Sequence, residues 1–133
     1  MKKLWLGMLA VIMLMLFGIY FKWVFSESLY FDKASLKYYL LVDNAVKQAP
    51  VYGDKVRYHY SAGDGSKLGS SSLFFVTRKT KKELLDRYRR HYEKQKASMS
   101  KESDGWHIKT TQGILYLRIR EFGERREVEI IHF

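Results

Sequence analysis

The chain has 133 residues and a formal net charge of +10, from 24 Lys and Arg against 14 Asp and Glu; 47% of its residues are hydrophobic, one is proline and none is cysteine. The missing cysteine excludes a disulfide framework, thiolate zinc sites and a lipid-modified cysteine, and the apolar content excludes an extended disordered chain. This length accommodates one small domain beside a membrane segment.

After Met1-Lys2-Lys3 comes an uncharged apolar run over residues 4–21, broken only by Gly7 and Gly18. About 18–20 apolar residues rising about 1.5 Å each cross a hydrocarbon core of about 30 Å, so residues 4–21 are expected to contact the membrane as a helix. Residues 1–25 form the N-terminal membrane anchor in this reading. The exit, Tyr20-Phe21-Lys22-Trp23-Val24-Phe25, is an aromatic belt with a snorkelling lysine, whereas a secretory signal ends on small residues. Retention is the expectation; cleavage near Ser26, giving a secreted protein, is the alternative. Lys2, Lys3 and the free amino group nearly balance Lys22, Lys33 and Lys37, so the positive-inside bias is small. The Met-Lys-Lys start resembles that of exported chains. It favours an inner or plasma membrane location with a single pass and a C-terminal domain outside the cytoplasm.

Residues 26–49 place Leu29, Leu36, Tyr39, Leu40, Val42 and Val46 at mostly helical spacings, which predicts a juxtamembrane helix packed on the domain and ended by Pro50. Residues 50–133 read as a small α+β extracytoplasmic domain. Val56, Tyr58 and Tyr60 alternate with polar residues, predicting a strand; residues 73–76 begin a more buried one, and a glycine-rich loop over 62–69 joins them. Thr80-Lys81-Lys82-Glu83 fits a capping box, followed by Leu84, Leu85, Tyr88 and Tyr92 on one helical face. Residues 98–104 read as a polar loop. Residues 106–111 and 114–121 alternate, and Phe122-Gly123-Glu124-Arg125 turns the chain into a last strand over 128–133. The expected architecture is α+β: an N-terminal transmembrane helix, then an α-β-β-α-β-β-β domain with an antiparallel sheet.

The chain carries Ala49-Pro50-Val51-Tyr52-Gly53, a helix with a central tyrosine at Tyr88 or Tyr92, Gly105-Trp106 and closing strands. Over residues 49–133 this pattern resembles small bacterial membrane-anchored or exported α+β domains of unknown function, although a second proline after Tyr52 is missing. The resemblance implies a fold and no particular chemistry.

Motifs for catalysis are sparse. Gly63 and Gly65 lack the further glycine, and the Gly-Lys-Ser or Gly-Lys-Thr, of a phosphate loop. Asp64 lacks the repeated oxygens that calcium requires. Ser98-Met99-Ser100-Lys101 matches Ser-x-x-Lys, in which a lysine one helical turn on activates a serine, but the partner motifs are absent. His59, His91, His107 and His132 are scattered singly; His59, His107 and His132 meet only if their strands are neighbours with matching faces. Glu127 and Glu129 share one strand face, as solvated residues would. No cofactor and no metal is implied.

What remains is charge. Removing Lys2, Lys3 and Lys22 still leaves 21 Lys and Arg against 14 Asp and Glu. Lys81, Lys82, Arg87, Arg89, Arg90 and Lys94 concentrate on one helix, and these six are the candidate partner or lipid-surface residues. A tethered basic helix attracts anionic headgroups within a Debye length of about 8–10 Å, or an acidic protein or envelope polymer. Nucleic acid is disfavoured by the outside address. The reading is a non-enzymatic binding or accessory module; a small hydrolase with an unrecognised site and a structural role in a membrane complex are the alternatives.

Overall fold

A computed structural model of the chain describes residues 2–63 and 68–133. The first helix, α1 (Lys2–Val24), contains the stretch Leu4–Val24, 21 residues of mean hydropathy 2.3, long and apolar enough to cross a membrane or to be a signal sequence. Its large apolar side chains are exposed from Leu4 to Phe21, while Trp23 and Val24 at its end are partly covered. Helical bonding continues into the exit, where the Phe25 amide donates to the Phe21 carbonyl at 3.0 Å.

The domain is α+β, built on one seven-stranded antiparallel sheet. In chain order come β1 (Leu29–Phe31), α2 (Leu36–Leu41), α3 (Asn44–Lys47), β2 (Asp54–Ser61), β3 (Ser70–Thr77), α4 (Lys81–Lys94), β4 (Ser98–Lys101), β5 (Trp106–Thr110), β6 (Gly113–Phe122) and β7 (Arg125–His132). The spatial order is β1-β2-β3-β7-β6-β5-β4. Register places Phe31, Tyr58, Leu73, Ile130 and Leu117 in one row, and Phe75, Val128 and Ile119 in the next, all on one face. The helices cover that face, where Leu84, Tyr88 and Tyr92 of α4 join Tyr38, Ala45 and Val46 in a single core. Alternation in the strands thus meets a 3.6-residue stripe in α4. The opposite face carries ion pairs instead, Arg118 to Glu129 at 3.2 Å and Arg120 to Glu127 at 3.5 Å. Glu127 and Glu129, expected to be merely solvated, are therefore paired across the β6–β7 ladder.

The helix expected over 26–49 is not continuous. Leu29–Phe31 instead pairs with β2, Phe31 opposite Tyr58. Ser35 then caps α2, accepting from the Lys37 amide at 3.3 Å. Val42 is extended at the end of α2 and Asp43 extended at the start of α3. That break redirects the buried set. Tyr38, Leu41, Val42, Ala45 and Val46 are buried, while Leu36, Tyr39 and Leu40, expected to pack on the domain, are exposed. The segment shares the core of residues 50–133, so the order α-β-β-α-β-β-β is replaced by the one above. A second difference is β4, which lies where a polar loop was expected. An edge strand needs only backbone pairing to β5 and one packed side chain, here Met99 opposite Ile108, so its polar composition is no obstacle.

Other expectations hold. The Thr80 hydroxyl accepts from the Glu83 amide at 3.2 Å and the Glu83 carboxylate accepts from the Thr80 amide at 2.9 Å, completing the capping box of α4. Gly123, at φ +58°, supplies the left-handed residue of the β6–β7 turn. The glycine loop of 62–69 is described only at its ends; Asp64, Gly65 and the phosphate and calcium readings weighed on them lie outside the described residues.

Candidate anion-binding cleft

Tyr52 is the fixed point of two neighbouring cationic hollows. Pro50 stops the chain after α3, and the buried Tyr88 hydroxyl donates to the Pro50 carbonyl at 2.9 Å. Thr77 donates to the Tyr52 carbonyl, also at 2.9 Å. Between these ties, Gly53 lies so close to the Val76 carbonyl of β3 that a Cβ would collide with it. Glycine is therefore required for close approach rather than for an unusual dihedral. The Tyr52 ring meets the Tyr88 ring edge-on with centroids 5.1 Å apart. Lys55 then takes φ +53° as β2 enters an irregular register with β3.

Along α4, Arg87, Arg90, His91 and Lys94 recur at i, i+3, i+4 and i+7, which is one helical face. With Tyr52 they line a shallow cavity of about 340 Å³. The Arg87 guanidinium lies 5.5 Å from the Tyr52 ring centroid. Among the described residues no ion pair engages Arg87, Arg90 or Lys94. On the other side of Tyr52 a larger hollow of about 610 Å³ adds Lys55, Arg78, Lys79 and Arg125, with Asp54 its one carboxylate. Burial pushes the Tyr52 phenol pKa up against the pull of Arg87 and Arg90, so it remains a neutral hydrogen-bond donor. Each such cation attracts an anion at about 4 Å by about 1 kcal/mol in water and about 4 kcal/mol near a protein surface. Several acting together attract a multivalent anion more strongly than one alone, and salt weakens the attraction.

His91 makes this cleft sensitive to acid. Burial and then the Lys94 charge lower its pKa from the ordinary 6.5, so it is neutral at neutral pH. A bound anion favours the imidazolium. Polyanion binding at constant ionic strength is therefore expected to tighten as pH falls below about 6.5, and His91→Gln to flatten that slope, as isothermal titration across pH 5 to 8 will read.

The six basic residues expected to act together divide among three surroundings. Arg87, Arg90 and Lys94 line the cleft. Lys82 and Arg89 share a face with Asp86 and Glu93, where charges alternate at spacings of three and four. Lys81 lies over the Trp106 ring at 5.2 Å. Helical spacing could have singled out the 87/90/91/94 stripe, but grouping by charge left His91 apart and put the other three with Lys81, Lys82 and Arg89; the apposition of Tyr52, Lys55 and Arg125 had no such signal, because they come from separate strands and loops.

The other sequence motifs form no constellation, although His107 and His132 line one hollow of about 380 Å³ with Gly113 and Tyr116. Ser98 pairs with Lys109 and Lys101 with Trp106, so strand alternation puts Ser98 and Lys101 on opposite faces and no helical turn joins them. His59 bonds Ser28 at 2.8 Å, His91 bonds Gln95 at 3.0 Å and His107 meets Glu102 at 3.4 Å. His132, on the helix-covered face, is instead 3.0 Å from Asp43. Among the described residues no group of histidines and carboxylates is placed to hold a metal. Asp43 also accepts from the Ser71 hydroxyl at 2.8 Å. Serine, histidine and aspartate thus gather at one point, yet the hydroxyl donates to the carboxylate and not to the imidazole, which is the wrong order for a nucleophile and its base. The cluster ties the α2–α3 junction to the sheet.

No family model matches the chain, and neither a curated protein nor a solved structure matches it.

Proposed function

We propose that the chain is a single-pass membrane-anchored bacterial envelope protein whose domain, outside the cytoplasm, is a non-enzymatic binding module that holds an acidic partner in the Tyr52 cleft. The carrying observation is the Arg87, Arg90, His91 and Lys94 stripe, free of carboxylate partners among the described residues and set against a neutral tyrosine donor. Retention of α1 is supported by its aromatic exit and by the way the domain grips its end. The Tyr60 hydroxyl donates to the Val24 carbonyl at 2.9 Å and the Ala62 amide to the Ser26 carbonyl at 3.2 Å. A peptidase needs that same stretch extended and accessible.

The partner chemistry is an acidic envelope polymer or protein segment rather than headgroups. Lys55 and Arg78 sit at the ends of β2 and β3 opposite those nearest α1. From Tyr60 to Lys55 the strand runs roughly 16 Å at about 3.3 Å per residue, more than a Debye length.

Topology is tested by the mass and membrane partition of the expressed chain with protease added to intact cells; an uncut, membrane-bound, externally digested chain is expected. Binding is tested with polyglutamate and polyphosphate at two ionic strengths. The triple variant R87Q/R90Q/K94Q should lose at least about tenfold in affinity, corresponding to about 1.4 kcal/mol. The double variant K82Q/R89Q, which removes charge from the alternating face, should change it little. Equal losses in both would mean that net charge and not the cleft governs association.

A further inference from the structure

We infer that the exposed face of α2 is a second membrane contact, a seat that lies in the lipid headgroup zone and holds the domain against the bilayer beside its anchor. The inference rests on α1 being retained in the membrane.

Leu36, Tyr39 and Leu40 recur at i, i+3 and i+4 and are 60%, 63% and 49% exposed, forming one apolar face turned away from the core. On the opposite side Tyr38 packs edge-on against Tyr58, centroids 4.6 Å apart, so the orientation of α2 is set by the core. The apolar face is therefore not an accident of a loose segment.

What covers it follows from its neighbours. Lys37, between Leu36 and Tyr38, places its ammonium 5.1 Å from the Trp23 ring centroid in the last turn of α1. Trp23 belongs to the aromatic belt expected at a bilayer surface. Phe25, just beyond it, is 69% exposed, and Leu68, in the hairpin whose Ala62 bonds Ser26, is exposed as well. Through Lys37, α2 thus lies against the aromatic end of the spanning helix. Lys37, against Trp23, is placed as snorkelling lysines are, and Lys47 lies over the Tyr38 ring with its ammonium bonded to the Tyr39 carbonyl at 3.0 Å. A short amphipathic helix, apolar on one side and rimmed by lysines, suits the plane of an interface. Bonds from Tyr60 and Ala62 to the anchor's end leave no slack linker to lift it away.

The chain contains no cysteine, so a single introduced one reports one place. Full-length Leu40→Cys carrying an environment-sensitive fluorophore, reconstituted in vesicles of phosphatidylcholine and phosphatidylglycerol, is compared with Ile12→Cys in the spanning helix and Arg89→Cys on α4. The expected result is blue-shifted emission at position 40, quenching by spin-labelled lipid, and quenching by aqueous iodide several-fold weaker than at position 89. Lipid contact at position 12 with iodide quenching at position 40 equal to that at position 89 overturns the seat and leaves the anchor standing. Iodide quenching at both 12 and 40 overturns the anchor and the seat together. Protection from iodide at position 40 without quenching by spin-labelled lipid also overturns the seat, since a second copy or another protein would then cover that face.

Discussion

Ile130→Asp is expected to unfold the domain. Ile130 is completely buried in β7, with Leu73 of β3 on one side and Leu117 of β6 on the other. Removing the isoleucine side chain forfeits about 2–5 kcal/mol. The flanking Leu73 and Leu117 offer the new carboxyl no hydrogen-bonding side chain, and burying an unpartnered polar group costs about 2–7 kcal/mol even when it is protonated. Together these approach or exceed the whole stability of a domain this size, about 5–15 kcal/mol. Ile130→Val, which keeps the shape and loses one methylene, should cost only about 0.5–1.5 kcal/mol. Far-ultraviolet circular dichroism and urea titration of both variants, in the detergent that holds the wild-type chain folded, make the comparison. A cooperative transition in the aspartate variant at the wild-type midpoint would mean that the face of β7 is misassigned.

Tyr88→Ala should have the second largest effect, about 3–5 kcal/mol, because a large buried aromatic is removed from the contact between α4 and the sheet. Tyr88 is fully buried, stacks near Tyr92 and meets Tyr52 edge-on. Burial holds its phenol proton far above the ordinary range, so the hydroxyl is a permanent donor to the Pro50 carbonyl. Tyr88→Phe isolates that bond: the ring remains, the Pro50 carbonyl loses its donor, and about 1–3 kcal/mol should go. The ring also supports Tyr52 from behind. Tyr88→Phe is therefore expected to weaken polyanion binding less than it lowers stability, while Tyr88→Ala should lower both. Urea midpoints and titration with polyphosphate on the same samples separate the two.

The candidate cleft was half legible. Helical spacing in α4 announces Arg87, Arg90, His91 and Lys94 as one face, because a helix maps sequence separation directly onto direction. Nothing in the spacing announces that Tyr52 and Arg87 meet, since the contact depends on where Pro50 releases the chain and on Gly53 allowing it close to Val76. Asp43 and His132, 89 residues apart, are an extreme case: each looks like an isolated polar residue, and only the closure of β3 against β7 brings their partners together.

By itself the sequence determined the features whose free energy is local or whose signal is a run. The apolar stretch of α1, the capping box of α4, the β6–β7 turn and the alternating strands β2, β5 and β6 belong here, because capping, turn chemistry and side-chain periodicity act over a few residues. Only the tertiary structure decided the rest. Leu29–Phe31 became a strand because β2 offered it an edge, and Ser98–Lys101 became one because β5 did; backbone pairing carries no side-chain signature. The expected juxtamembrane helix broke at Val42 and Asp43, where Asp43 could satisfy Ser71 and His132, and that break turned Leu36, Tyr39 and Leu40 outward. Which apolar residues are buried depends on what packs on them, and for this chain that was settled by contacts between distant segments.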